Sequence, residues 1–434
     1  MEAMFNIIIY GKKDYRTLGI PPVPPNSNHA RYLYDWKNDH IDNNIFFNFV
    51  SLKKIKPNTK YVVYLNHYQH FVTSTYQPVY KFYPNGKESN NLLDKVQMSE
   101  RIWEDSKNGL VHWLIDWGTE CTQLENSAGV DFEKLCTALN TVPKNITLIT
   151  GAETKEPYGN NTLTSAVRYG YNCITGYELF KFLSLDEQEE AHTNYALTKI
   201  TDITNKNILK YKSLCYNRLP RHHRTMIVAH ILKNKYHSEC LYSLGTYPNQ
   251  TRWHWKEHFP ELQHEVDILL SGGEIYPHIR EANVNLQENQ AHVLGWDHGL
   301  NSYFQLVTET APDNARYPFI TEKLLKPLAM LQPFIQYGPK NNIKVLRTHG
   351  YDTFDKWIDH SYDDEEDDIR RLRLVLKEFD RLQRIPSEDW SNMLKEMLPS
   401  LLHNYQLITK PVSRNITSQL IPILTDFMEG NIYD

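Results

Sequence analysis

The 434-residue sequence lacks any run of about 18 apolar residues, which excludes an ordinary membrane-spanning helix. It also lacks a positive excess. Its 47 Lys and Arg against 52 Asp and Glu leave a formal net charge of -5, which argues against a global electrostatic grip on nucleic acid but leaves room for a local basic groove. Cysteine is sparse. The five residues Cys121, Cys136, Cys173, Cys215 and Cys240 are scattered, odd in number and never form a Cys-x-x-Cys pair, so reduced thiols in a cytoplasm-like compartment are expected. The opening MEAMFNIIIYGKK has neither a basic lead-in nor a small-residue cleavage site and does not read as a signal peptide. The Asn-x-Thr sequons at Asn145, Asn160, Asn249 and Asn415 therefore carry little weight.

Missing motifs narrow the chemistry. The glycine-rich phosphate loops GxxxxGKS/T and GxGxxG are absent, which lowers kinases and dinucleotide oxidoreductases. No Asp-x-Asp triplet occurs. His254, His258 and His264 come without an HExxH pattern or cysteine partners, so no metal site is expected.

What is present is aromatic: 12% of the chain, with 28 Tyr and 9 Trp. Such rings suit sugar-binding surfaces, and equally the edges of a core where the polar tip stays wet. The length predicts two domains, or one large domain with an appendage. Residues 5–10, 61–65, 110–117 and 146–150 form short, nearly continuous apolar runs, as expected of strands covered on both faces. Residues 184–205 are polar and charged and read as a junction. Beyond them a strand (212–217), a helix (220–233) and a strand (240–244) make one βαβ unit, and residues 303–309, 321–331 and 333–337 repeat it. In such sheets ligands sit at the carboxyl ends of the strands, so the loops near residues 218–224, 309–322 and 338–339 should share one crevice. The acidic block DDEEDD at 363–368 reads as a solvated helix start, and residues 387–434 as an amphipathic helical tail.

The most informative segment is FQLVTETAPDNARYPFITEKLLKPLAMLQPFIQYGP, residues 304–339. Thr321 is placed to cap a helix whose first turn holds Glu322 and Lys323. Amides at a helix start attract phosphate, an adjacent Lys adds a mobile charge, and Glu322 suits a ribose hydroxyl. An ordinary capped surface helix explains the same spacing. Arg218, Arg221 and Arg224 crowd another helix start, where ordinary capping disfavours cations.

The run FITEKLLKPLAMLQPFIQYGP resembles the donor-binding motif of the α1,3-fucosyltransferase family and is similar to the C-terminal half of glycosyltransferase-like proteins of phages and large viruses. The resemblance spans residues 212–363, and its specific part is the Thr-Glu-Lys run. It implies a GT-B fold, two Rossmann-like domains facing across a cleft, with inversion at the sugar carbon. Glu322 then matches the ribose-binding Glu and Lys323 the phosphate-binding Lys. Arg224, with Arg218 and Arg221 close behind, matches the diphosphate-holding Arg. Glu309 falls where the family has a Phe-Glu-Asn triplet, here Thr-Glu-Thr. The resemblance points towards GDP-fucose as donor and gives a glycan as default acceptor. A hydroxymethylated pyrimidine in phage DNA is the second acceptor class, and a viral protein would work in the host cytoplasm.

The N-terminal half should then bind the acceptor and supply the base that an inverting transfer needs. Asp116 and Glu120 rank first because WLIDWGTE surrounds them with Trp113 and Trp117, rings suited to a sugar face. Glu153, His67 and His70 also follow strands, and His67 completes the expected acceptor side.

The expectation is thus an α/β protein of GT-B type. It has an acceptor domain over 1–200, a donor domain over 210–385 with Gly338 at its crevice, and a helical tail over 386–434 packing across both. The expected activity is an inverting, metal-independent glycosyltransferase with a nucleotide-diphosphate sugar as donor substrate and no other cofactor. The alternative is a non-catalytic viral or carbohydrate-binding protein that keeps the fold.

Overall fold

Both halves place their apolar runs in parallel strands, which must be covered on two faces and so tolerate few polar residues. The computed structural model describes residues 3–10, 45–49, 52–66, 100–117, 136, 139–150, 170, 172–175, 189–217, 220–244, 254–270, 296–309, 318, 320–409 and 413–430. The chain divides into two compact units, the first made of Met1–Phe182 with Pro411–Asp434 and the second of Leu183–Lys410. Among the described residues no helix is long and apolar enough to cross a membrane.

Unit 1 contains β1 (Ala3–Tyr10), β2 (Ile45–Phe49), β3 (Tyr61–Asn66), β4 (Val111–Trp117), β5 (Ile146–Thr150) and β6 (Asn172–Thr175). They pair in parallel in the order β2-β1-β3-β4-β5-β6. The strand order reverses between β1 and β3. The helix α1 (Glu100–Lys107) precedes β4, and Tyr61 Oη donates to Asp105 on it at 2.9 Å. The C-terminal helix of the chain, Ser413–Glu429, also belongs to this unit. Lys60 Nζ donates to the Phe427 and Met428 carbonyls at 2.6 and 3.3 Å, satisfying two of the acceptors that a helix end leaves open. The Phe427 ring stands edge-on to the buried His112, which shares a 2.8 Å hydrogen bond with Thr147 Oγ1. Burial lowers the His112 pKa to about 3, so the ring is neutral.

Unit 2 contains α2 (Glu189–Thr204), β7 (Tyr211–Cys215), α3 (His222–Lys233), β8 (Cys240–Tyr242), α4 (Gln263–Leu270), α5 (Trp296–Leu300), β9 (Ser302–Thr308), α6 (Glu322–Ala329), β10 (Phe334–Tyr337), α7 (Asn342–Thr348), α8 (Asp368–Gln383) and α9 (Ser387–Thr409). Its parallel sheet runs β10-β9-β7-β8, with a second reversal between β7 and β9. All of β9 is buried. Trp390 of α9 stacks on Phe304 and Tyr303 there, with ring centroids 5.2 and 5.7 Å apart.

The polar stretch read as a junction contains α2, whose inward face carries a buried lysine. Lys199 Nζ donates to the Gly299 and Ser302 carbonyls at 2.6 and 3.0 Å. The acidic block is only partly solvated. Asp363 is buried and accepts from the Ile343 and Lys344 amides at the start of α7, whereas Asp367 caps α8 through the Arg370 amide at 2.8 Å. The edge strand β10 is closed by side chains: the Gln336 amide donates to Tyr362 Oη at 3.0 Å, and Tyr362 pairs with His360, itself bonded to the Thr353 carbonyl.

Candidate functional site

Where a parallel sheet reverses its strand order, two crossover connections diverge and leave a crevice at the strands' carboxyl ends. In unit 2 that place lies beyond Cys215 and Thr308, and the residues there are polar, buried and bonded to one another. Asn217 ties the strand ends together: its amide donates to Ser243 Oγ at 2.9 Å, its Oδ1 accepts from Thr308 Oγ1 at 2.7 Å, and its Nδ2 reaches Cys215 Sγ at 3.3 Å. Burial pushes the Cys215 thiol up to about 12, so it stays protonated at neutral pH.

Glu309, one residue past β9, joins the two segments singled out in the sequence. Its main-chain carbonyl receives His223 Nε2 at 2.9 Å and Arg224 Nη2 at 3.4 Å, and Arg224 Nη2 also donates to the Thr308 carbonyl at 3.1 Å. A carbonyl partner fixes Nε2 of His223 as the protonated nitrogen. Burial, then the Arg224 charge, hold this histidine well below its usual pKa, so the ring is neutral. The carboxylate of Glu309, 0% exposed, accepts from Thr321 Oγ1 at 2.7 Å and from Gln336 Nε2 at 3.4 Å. Thr321 caps α6 as its sequence position predicts, accepting from the Lys323 amide at 3.2 Å, and Lys323 Nζ folds back to the same hydroxyl at 3.4 Å.

The two helix starts differ in sign. At α6 the cap hydroxyl is already bonded to a carboxylate, so the positive end of the helix has an anion of its own. At α3 the N-cap is Arg221, whose side chain makes no capping bond, and the first turn contains no acidic residue. His222, His223 and Arg224 follow. A helix start furnished only with cations and imidazoles has its positive end uncompensated by its own first turn, which is the condition under which an anion binds best.

Several sequence expectations change with side-chain direction. Arg224 points inward, 4% exposed, and holds the β9 end through main-chain carbonyls, so it positions the crevice, while Arg221 is half-buried at the helix start. Gly338 offers no slot to a ligand. A Cβ there would lie 2.7 Å from Gln336 Nε2 and 3.0 Å from Asn342 Nδ2, so the space is filled by those amides. Trp113 is a core residue: it is 0% exposed and its indole donates to Ser106 Oγ at 2.8 Å, which leaves no ring face for a sugar. Asp116 and Trp117 end β4 in unit 1. Arg218, Glu120, Glu153, His67 and His70 lie outside the described residues, as do the side chains of Asp116, Trp117 and Glu322. Among the described residues no group of three or more His, Cys, Asp or Glu could hold a metal ion. Asn217, His223 and Gln336 belong to the site without having been anticipated, since Asn, His and Gln carry no spacing signal of their own.

No family model matches the chain, and no curated protein matches it. Among solved structures, it is similar to the N-terminal domain of trehalose-6-phosphate phosphatase from Candida albicans, at 11% identity and a TM-score of 0.42, over 98% of this chain and 97% of that one. It is also similar to the catalytic domain of starch synthase IV from Arabidopsis thaliana bound to ADP and acarbose, at 10% identity and a TM-score of 0.38, over 95% and 100%. Likeness at this level transfers neither fold nor function to this chain.

Proposed function

We propose that the crevice of unit 2 binds a nucleotide-diphosphate sugar and that the protein transfers the sugar to a hydroxyl, with inversion, as a GT-B glycosyltransferase. The observation that carries this is the cation-lined, acid-free start of α3 at the point where the sheet reverses its strand order. The first amides of α3, the Arg221 guanidinium and the Lys323 ammonium suit the diphosphate, and they neutralise the charge that grows on it as the glycosidic bond breaks. The buried Glu309 carboxylate, held by Thr321 and Gln336, keeps a negative charge beside the α6 cap.

The base belongs to the acceptor side, with Asp116 and Glu120 as candidates. A carboxylate there removes the acceptor proton while the sugar carbon takes on oxocarbenium character. The sequence resemblance favours GDP-fucose as donor and a glycan as acceptor, with a hydroxymethylated DNA pyrimidine as the second acceptor class.

Binding is tested by melting the full chain with a panel of nucleoside diphosphates and nucleotide sugars. Ligand at a hundredfold excess over its Kd stabilises by about 2.7 kcal/mol, or roughly 5 to 10 °C for a unit of this size. One nucleotide should give that shift, and Arg221→Ala and Lys323→Ala should each reduce it. No response to any nucleotide, or a response indifferent to both substitutions, overturns the assignment. Binding without release of nucleoside diphosphate from the sugar nucleotide, in the presence of glycan and DNA acceptors, would identify a non-catalytic binding protein instead.

A further inference from the structure

Granting the nucleotide-sugar reading, on which this rests, we infer that Gln336 accepts a hydrogen bond from a hydroxyl of the bound ligand, on its ribose or on the sugar it carries. Gln336 is 2% exposed, and its Nε2 donates to Glu309 Oε1 at 3.4 Å. Its Oε1 is buried and has no donor within reach. Buried amide oxygens in native proteins nearly always have a partner, so a vacant one points to a group that binds there. The orientation of the amide follows from its neighbour, because the flipped form would set Oε1 against the Glu309 carboxylate.

Among the described residues three other buried glutamines also have an unfilled Oε1: Gln305, Gln332 and Gln383. Each lies away from the crevice. Gln305 pairs with Phe334 at the start of β10, Gln332 is bonded to Gly299 and Ser302 at the amino end of β9, and Gln383 is bonded to Ser213 in β7. Gln336 differs from them in standing near the carboxyl end of its strand, one hydrogen bond from Glu309 and two from the cap of α6. An amide oxygen only accepts, so it matches a hydroxyl and repels phosphate. The Gln336 and Asn342 amides lie together over Gly338.

The test compares affinities of the full chain, by calorimetry, for adenosine, guanosine and uridine diphosphates, their 2′,3′-dideoxy analogues, the corresponding nucleotide sugars, and inorganic pyrophosphate. For the nucleoside that binds, a ribose contact predicts about tenfold weaker binding of the dideoxy form, the worth of one neutral hydrogen bond. In Gln336→Met the ribose form should weaken about tenfold while the dideoxy form and pyrophosphate do not change. If the sugar makes the contact, the wild type should instead prefer the nucleotide sugar to the bare diphosphate about tenfold, and the variant should lose that preference. Gln336→Asn, which withdraws the oxygen but keeps an amide, replaces the Met variant should the latter fail to fold. A wild type blind to both sets of hydroxyls overturns the inference, as does a variant that weakens every ligand equally or none. Absence of all nucleotide binding overturns the nucleotide reading along with it, whereas hydroxyl-blind nucleotide binding overturns this inference alone.

Discussion

Replacing Lys199 by Met should change how unit 2 responds to pH. The ammonium is 0% exposed, its hydrogen-bond partners are two main-chain carbonyls, and burial lowers its pKa from 10.5 to about 7, with the Asp202 charge opposing. Between those values the unfolded chain binds a proton that the folded chain releases, so wild-type stability rises with pH across the window from about 7 to 10.5. Below about 7 both states are protonated and the penalty is constant; above 10.5 neither is, and it vanishes. Each pH unit crossed inside the window adds about 1.36 kcal/mol, so the gain from pH 7 to pH 10, rounded off at both ends, is about 3 to 4 kcal/mol. Methionine has similar length and no charge. The two carbonyls remain served by Gln332 Nε2, at 3.4 and 3.1 Å, so the substitution abandons no buried acceptor. Urea denaturation of the full chain at pH 7, 8, 9 and 10 gives two stability curves, and their difference cancels every other titrating group. That difference should shift in favour of the wild type by about 3 to 4 kcal/mol over the series. Parallel curves would show that Lys199 is not held in a desolvated site, and the packing of α2 against the start of β9 would have to be reconsidered.

Two further substitutions probe the crevice itself. Gly338→Ala forces a methyl to within 2.7 Å of Gln336 Nε2 and 3.0 Å of Asn342 Nδ2, and should destabilise unit 2 by about 1 to 3 kcal/mol in chemical denaturation. Thr321→Val removes both the cap of α6 and a donor to the buried Glu309 carboxylate, so it should cost about 2 to 4 kcal/mol, while Thr321→Ser, which keeps the hydroxyl, should cost under about 1. Equal losses in Val and Ser would mean that the methyl, not the hydroxyl, matters there.

The strands that the sequence makes plain are those whose apolar run survives burial on both faces. ITLIT and SYFQLVT are of this kind, and both are parallel strands. β2 and β6 escape notice because Asn48 interrupts the apolar run IFFNF and because NCIT, four residues opening on Asn172, has only two apolar residues in it. The segment containing α2 is opaque for a different reason. Its outward face is polar enough to read as a linker, and the residues that fix it inward, Tyr195 and Lys199, look like surface residues in a list of letters. Thr321 is legible as a cap because a cap is local, a matter of three consecutive residues. Direction around a helix is not local: nothing in RLPRHHRT distinguishes the inward Arg224 from the half-buried Arg221, and only the position of the β9 carbonyls decides it. The same holds for Glu309, whose place at the centre of the site depends on contacts with residues 12 and 86 positions away.

The first unit of the chain is the last to be finished. Its sheet comes from Met1–Phe182, but the helix that brings Phe427 to His112 and its terminal carbonyls to Lys60 lies beyond Pro411. At about 5 to 20 residues per second, the intervening stretch takes roughly 10 to 50 seconds to emerge from a ribosome. For that interval His112 in β4 and Lys60, just ahead of β3, wait without their eventual neighbours, and the nascent protein needs either tolerance of that delay or a chaperone to bridge it.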